Sequence, residues 1–346
     1  MNPVSKSAFL GLCALSLLAA GCAEKKTVLH VYTWSDYVKP ELLSRFELEN
    51  NCKVVVDTYD SNEAMYAKLK AGATGYDILF PSSYMVKIMN AQGMLRKLDR
   101  SLLPNLRNVD PAYLEMAADK LMEHSVPYTA TITCLGYLGE RVDNFEPSWA
   151  MLDRDDLKGR MTMLNDYRET IGAALKFLGF SLNSRNDAEL AAAKDVVLRW
   201  KKNLAKFENE QYKTGLASGE FLLTHGYSGD LMLVQSENPD IQIAVPREGS
   251  ALTFDDMVIP SSAVQVELAH KFINFILEPE VAAQLTEYIY FLCPNLPSYD
   301  LLDPEIRADP ILFPPPDVVE KLEMIDDLGA DNAKYTKIWD EIKAGE

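Results

Sequence analysis

The sequence lacks the motifs that mark most catalytic and cofactor-binding proteins. It contains no phosphate-binding P-loop, no Rossmann glycine fingerprint and no Gly-x-Ser-x-Gly nucleophile elbow. Its four histidines are scattered and show no His-Glu-x-x-His or similar metal-ligand spacing. We therefore expect no catalytic residues, no cofactor and no bound metal.

Basic side chains are also scarce. The 346 residues include 34 Lys and Arg against 51 Asp and Glu, a formal net charge of −17. A field of that sign repels phosphate backbones, so nucleic acid is a poor partner. The same field attracts cations. Because 48% of the residues are hydrophobic, the composition is that of a globular protein and not of a disordered chain.

Cysteine is rare and its spacing is uninformative. Of the five cysteines, Cys13 and Cys22 lie near the N-terminus, and no Cys-x-x-Cys pair occurs. The remaining three, Cys52, Cys134 and Cys293, are widely separated, and an odd number cannot all pair within one chain. We expect them to be buried apolar thiols.

Only one apolar run is long enough to suggest export. Residues 8–20 follow a short segment whose single basic side chain is Lys6, and the run is too short to span a bilayer comfortably. It ends in Leu18-Ala-Ala-Gly-Cys22, which resembles the lipobox of bacterial lipoproteins. We expect residues 1–21 to be a signal peptide, Cys22 to carry lipid and residues 22–27 to form a tether. The alternative is a plain secretory signal that happens to contain Cys22.

Beyond the tether, short β-prone runs alternate with helical patterns. This alternation predicts parallel βαβ units and an α/β fold. The strands are predicted near residues 28–32, 53–59, 76–80, 128–137, 159–164, 219–227, 241–246 and 254–260. The helices are predicted near residues 40–48, 63–70, 85–89, 169–177 and 188–204, with an amphipathic helix around 268–276 and a C-terminal helix after Pro314-Pro-Pro316.

Two β-rich segments, near residues 130–135 and 253–258, suggest that the chain crosses twice between two lobes. We predict a first lobe of residues 28–132 and 256–300 and a second lobe of residues 133–255 and 301–346. Two α/β lobes joined in this way enclose a hinged cleft, and ligands bind where strand ends face it.

Carboxylates and aromatic rings recur at predicted strand ends in both halves. Trp34-Ser-Asp-Tyr37 follows one strand, Ser82-Ser-Tyr84 another, Asp166-Tyr-Arg-Glu169 a third, and Phe254-Asp255 begins the second crossing. Singly, such residues more often cap helices, close turns or pack in cores. Together they suit an aliphatic di- or triammonium ligand, because carboxylates bond the ammonium groups and rings cover the methylenes.

Three stretches resemble the spermidine/putrescine-binding receptors of bacterial polyamine ABC transporters. They are Val31-Tyr-Thr-Trp-Ser-Asp-Tyr37, Thr58-Tyr-Asp-Ser-Asn-Glu-Ala-Met-Tyr-Ala-Lys-Leu69 and Tyr76-Asp-Ile-Leu-Phe-Pro-Ser-Ser-Tyr84. The likeness continues through Asp166-Tyr-Arg-Glu169 and Cys293-Pro-Asn-Leu296, and so covers essentially the whole mature chain. It implies a two-lobe type II periplasmic binding fold with a hinge of two crossing strands.

The resemblance also implies which side chains contact ligand. The binding positions carried over are Trp34, Ser35, Asp36, Tyr37, Ser82, Tyr84, Asp166, Glu169, Tyr227, Phe254, Asp255 and Phe291. Tyr227 and Thr253 replace tryptophans of spermidine-preferring members, Phe291 replaces a tyrosine and Ile325 replaces a glutamine. Phe254 or Tyr290, each next to a replaced position, could supply a missing ring. The Trp-Ser-Asp-Tyr box is more like that of putrescine-preferring relatives.

The resemblance and the lipobox together imply a periplasmic, lipid-anchored monomer that binds putrescine and spermidine, putrescine at least as tightly, and delivers them to a membrane permease. Asp36 is expected near one end of the ligand, and Asp166, Glu169 or Asp255 toward the other. Two other hypotheses stay open. One is an exported hydrolase that uses Asp166 and Glu169 as an acid/base pair. The other is a surface lipoprotein with a different cationic or metal ligand.

Overall fold

A computed structural model describes residues 26–345. Its ten strands are β1 (Thr27–Thr33), β2 (Cys52–Thr58), β3 (Ile78–Leu79), β4 (Ser125–Leu138), β5 (Met161–Met163), β6 (Leu204–Phe207), β7 (Leu223–Tyr227), β8 (Ile241–Ala244), β9 (Ala251–Val258) and β10 (Glu323–Met324). The lipobox and Cys22 lie outside the described residues. No helix of the described part is long and apolar enough to cross a membrane.

Thirteen α-helices lie between and after these strands. They are α1 (Pro40–Glu49), α2 (Asn62–Lys70), α3 (Ser83–Ala91), α4 (Pro111–Leu114), α5 (Tyr167–Phe177), α6 (Asp187–Lys201), α7 (Gln211–Ser218), α8 (Ser228–Glu237), α9 (Val266–Ile276), α10 (Pro279–Ile289), α11 (Pro304–Arg307), α12 (Pro316–Val319) and α13 (Asn332–Ala344). The predicted alternation of strands and helices is confirmed. Six helices were not predicted: α4, α7, α8, α10, α11 and α12. The helix expected over 188–204 ends at Lys201, since Leu204 begins β6.

Local sequence signals place several helix ends. Helix α2 begins after Ser61, whose hydroxyl accepts a hydrogen bond from the Ala64 amide at 3.2 Å. Helix α10 has Pro279 in its first turn, where the missing N–H is not needed. Helix α7 ends at Gly219 with φ of +73°, the left-handed conformation that glycine adopts without strain. These ends fix which side chains follow each strand.

The strands form two sheets that share one long strand. In the first sheet, β1 lies between β2 and β3 in parallel pairs, and β9 joins β3 to β4 in antiparallel pairs. In the second sheet, the C-terminal half of β4 pairs with β7 and β8, and β5 lies between β7 and β6. The N-terminal half of β4 therefore belongs to the first lobe and its C-terminal half to the second.

Separate hydrophobic cores lie against the two sheets. The first is built around β1, α1 and α9, and the Phe46 ring packs against both Phe272 and Phe275. The second surrounds β5 and α6 and contains the fully buried Trp149 and Trp200. Two cores connected through β4 and β9 confirm the predicted two-lobe α/β class and both crossings. The residue boundaries predicted for the lobes stay a prediction.

The three predicted thiols are buried. Cys52, Cys134 and Cys293 are all free and lie within the hydrophobic cores. Burial raises the pKa of the Cys293 thiol to about 12. The expectation of buried, apolar thiols is confirmed for these three positions.

Candidate functional site

A cavity of about 190 Å³ lies between the two sheets, where β1, β3, β5 and β7 end. Ten of the twelve predicted contact residues line it. They are Trp34, Ser35, Tyr37, Ser82, Tyr84, Asp166, Glu169, Tyr227, Asp255 and Phe291. Strand ends from both lobes thus supply the walls, as parallel α/β topology predicts.

Asp255 occupies the crossing strand β9 and is held by hydroxyl groups from the first lobe. Tyr37 donates a hydrogen bond to one carboxylate oxygen and Ser82 to the other, both at 2.6 Å. Ser82 is in turn bonded to the Asn62 side-chain amide at 3.0 Å. Burial raises the pKa of Asp255 to about 6, against the two hydroxyl donors that favour its ionised form.

Asp166 and Glu169 face the cavity from the start of α5 in the second lobe. Asp166 caps the helix, accepting hydrogen bonds from the amides of Arg168 at 2.8 Å and Glu169 at 3.1 Å. Glu169 is 4% exposed and accepts a hydrogen bond from the Thr133 hydroxyl at 3.1 Å. Burial and the neighbouring Asp166 charge raise the pKa of Glu169 to about 8. Asp166 therefore both caps α5 and lines the cavity.

Aromatic rings cover much of the remaining wall. The Trp34 indole N–H donates a hydrogen bond to the Phe80 carbonyl at 3.0 Å. The Trp34 ring packs edge-on against the Tyr59 ring, with the two ring centres 4.6 Å apart. Tyr37 lies 6.0 Å from the Phe291 ring. Since the Trp34 N–H is already bonded, its ring is held in one orientation and presents apolar and π surface to the cavity.

Two predicted contact residues lie elsewhere. Phe254 is fully buried, pairs with Ala130 across β4 and packs its ring 5.7 Å from Tyr113. Successive side chains of a strand point to opposite faces, so Thr253 and Asp255 reach the cavity and Phe254 cannot. Asp36 is exposed in the turn after β1, with φ of +54°, and is not part of the lining.

Thr253 and Ile325 stand where the resemblance places a tryptophan and a glutamine, and they lack the ring and the amide of those residues. Thr253 and Ile325 both line the cavity, and Ile325 packs with Leu182 and Ala251. Tyr290 follows α10 in the left-handed conformation and is not part of the lining. Neither Phe254 nor Tyr290 therefore restores the missing ring.

Sequence reasoning missed several polar residues of the lining. Glu63 lies in the first turn of α2 and accepts hydrogen bonds from Tyr84 at 3.1 Å and from Tyr167 of the other lobe at 3.4 Å. Asp230 and Lys213 lie on α8 and α7. Asp230 stands in the first turn after β7, so the strand-end rule that found Ser82 would have found it had α8 been predicted. No signal in the sequence singles out Lys213.

The lining is strongly acidic. Seven carboxylates face two cationic side chains there. Within residues 26–345, no group of His, Cys, Asp and Glu is arranged to hold a metal ion. Fold and cavity together define the class of two-lobe binding proteins, here with an acidic cleft between the lobes.

Comparison with known proteins agrees with this class. Residues 41–314 match the family model of bacterial extracellular solute-binding proteins, and the chain belongs to that family. It is 36% identical to the spermidine/putrescine-binding periplasmic protein of Escherichia coli, over 97% of each chain. The resemblance seen in the sequence is confirmed. Because the family consists of transporter binding components, the chain is a binding protein and not an enzyme.

Solved structures extend the likeness to the fold. A spermidine/putrescine ABC transporter protein from Listeria monocytogenes is 35% identical, with a TM-score of 0.88 over 93% of this chain and 100% of that one. A lipoprotein of Treponema pallidum is 34% identical, with a TM-score of 0.83 over 91% and 99%. Both likenesses cover both lobes.

Proposed function

We propose that the cavity binds an aliphatic polyamine and that the protein performs no chemistry on it. The observation that carries this proposal is the convergence of Asp255, Asp166 and Glu169, from the crossing strand and the second lobe, beside the Trp34 and Tyr227 rings. Carboxylates bond ammonium groups with charge assistance, and rings attract cations while covering methylenes. A dication buried against fewer than two carboxylates would keep an unpaired charge.

We further propose that putrescine binds at least as tightly as spermidine. Thr253 and Ile325 line the cavity where the resemblance places a large ring and an amide. The Ile325 side chain has no acceptor, so a third ammonium group beside it would lose water without gaining a partner. Such an unpaired polar group costs about 1–3 kcal/mol.

Membership of the same family supports a role in delivery to a transporter. We propose that the mature protein is a periplasmic monomer tethered through lipid on Cys22, and that it hands polyamine to an ABC transporter permease. The periplasmic location of the Escherichia coli relative and the lipoprotein from Treponema pallidum support this placement. The lobes are proposed to comprise residues 28–132 with 256–300 and 133–255 with 301–346.

The proposal is tested by calorimetric titration with putrescine, cadaverine, spermidine, a sugar panel and divalent metals at fixed ionic strength. We expect micromolar or tighter binding of putrescine and spermidine and no heat from sugars or metals. Absence of binding to both polyamines at micromolar concentration would refute it. Competition between putrescine and spermidine then ranks them, and a tenfold preference for spermidine would overturn the proposed selectivity.

A further inference from the structure

One lining residue has the wrong charge for a site that accepts cations. Of the two cationic side chains in the lining, Arg168 is turned away from the cavity. Its guanidinium donates to the Asp326 carbonyl at 2.8 Å and to the Asn183 side chain at 2.6 Å, and it lies 5.0 Å over the Tyr335 ring. Lys213 has no such anchoring outside the site, so its ammonium group remains at the wall.

The Lys213 ammonium group pairs with two lining carboxylates. Its nitrogen lies 3.2 Å from a Glu210 oxygen and 3.7 Å from an Asp230 oxygen. The other Asp230 oxygen accepts a hydrogen bond from the Tyr212 hydroxyl at 2.5 Å. Asp230 therefore has one oxygen bonded to a hydroxyl and the other beside a cation.

Electrostatics favours the charged form of Lys213. Burial lowers its pKa, but the charges of Asp230, Glu210 and Asp36 outweigh burial and leave the pKa raised. Asp36, exposed on the first lobe, thus acts on a second-lobe lysine. The cation is permanent at neutral pH, and it cancels carboxylate charge that a ligand nitrogen would otherwise use.

We propose that Lys213 is a specificity-determining residue: its ammonium group takes the Asp230–Glu210 position and makes the cavity favour ligands with two charged nitrogens over ligands with three. This inference rests on the proposed polyamine function. A third ligand ammonium group approaching Asp230 meets a like charge already in place, whereas the Asp255 and Asp166–Glu169 positions stay open to a diamine. Ile325, in a different part of the lining, offers no substitute acceptor.

The test compares Lys213→Met with a charge-matched control. Methionine keeps the length of the aliphatic arm and removes the charge. Lys202→Met makes the same change of net charge at an exposed position just beyond α6, outside the lining. Titrations with putrescine and spermidine are run on both variants. We expect Lys213→Met to raise spermidine affinity at least tenfold relative to putrescine affinity, and Lys202→Met to leave that ratio within twofold of native.

A second variant keeps the inference testable should Lys213→Met unfold. Lys213→Gln also removes the charge but keeps a polar side chain, and we expect the same rise in spermidine affinity relative to putrescine affinity. An unchanged spermidine-to-putrescine ratio in either folded Lys213 variant overturns the inference. Native protein that binds neither polyamine refutes the proposed function instead, so the two failures are distinct.

Discussion

Replacing Asp255 by asparagine should weaken putrescine binding while sparing the fold. The side chain keeps its size and its place on β9, but the cavity loses a charge that two hydroxyl groups hold in position at 2.6 Å. A hydrogen bond to a charged group is worth about 1.5–3 kcal/mol. Since 1.4 kcal/mol corresponds to a factor of ten, the affinity should fall about 10- to 150-fold.

Stability should respond in the opposite direction. The pKa of Asp255 is raised from 3.8 to about 6, so at neutral pH the unliganded fold carries a carboxylate that is more favourable in the unfolded chain. At about 1.4 kcal/mol per pKa unit, this costs at most ~3 kcal/mol, an upper bound because the side chain borders the cavity. Without ligand, Asp255→Asn should therefore melt at the native temperature or above it.

Asp256→Asn is the matched control for this experiment. Asp256 is the next residue on the same strand, is fully buried and accepts a hydrogen bond from Ser83 at 2.5 Å, but it faces away from the cavity. Calorimetric titration should show an unchanged putrescine affinity for this variant. Equal affinity in native and Asp255→Asn protein, or an equal loss in both variants, would refute the assignment of Asp255 to the site.

Three further predictions address proton linkage, closure and selectivity. Because the unliganded pKa of Glu169 is about 8 and that of Asp255 about 6, an incoming dication displaces protons, so putrescine affinity should rise from pH 6 to pH 8. Calorimetric titration in buffers of different ionisation enthalpy should detect the released protons, and an affinity that does not change with pH would contradict the linkage. Ligand should also draw the lobes together about β4 and β9, which small-angle scattering would register as a smaller radius of gyration; identical profiles at saturation would argue against a hinge. Ile325→Gln should strengthen spermidine binding by about 1 kcal/mol, roughly fivefold, with little change for putrescine; competition titration measures the ratio, and an unaltered ratio would remove Ile325 from the selectivity explanation.

Much of the fold was predictable because its signals are local. The hydroxyl of Ser61, the first-turn proline of α1 and the β-branched run of β2 each act within a few residues, and each element formed where it was predicted. Short elements with weak patterns, such as α7, were missed. Their formation depends on packing against neighbours that the sequence does not indicate, as Leu216 packs in the second core.

The candidate site was predictable where residue order alone decides the direction of a side chain. Side chains alternate between the two faces of a strand, so the Asp255 side chain points into the cavity and that of its neighbour Phe254 points away from it. Lys213 is different. Its part in the site depends on its distance from Asp230, across two helices, and only the tertiary structure contains that information.

The position of β9 within the first sheet bears on how the chain folds. Leu79 of β3 pairs with Val258 of β9, about 180 residues later, and β9 alone joins β3 to β4 in that sheet. Until the ribosome has synthesised and released the chain as far as residue 258, the edges of β3 and β4 that pair with β9 remain unpaired. The first sheet therefore stays in two pieces. Such long-range pairing slows folding through the cost of loop closure. Chains that end before β9 should therefore remain unfolded and sensitive to proteases, whatever the strength of their N-terminal helices.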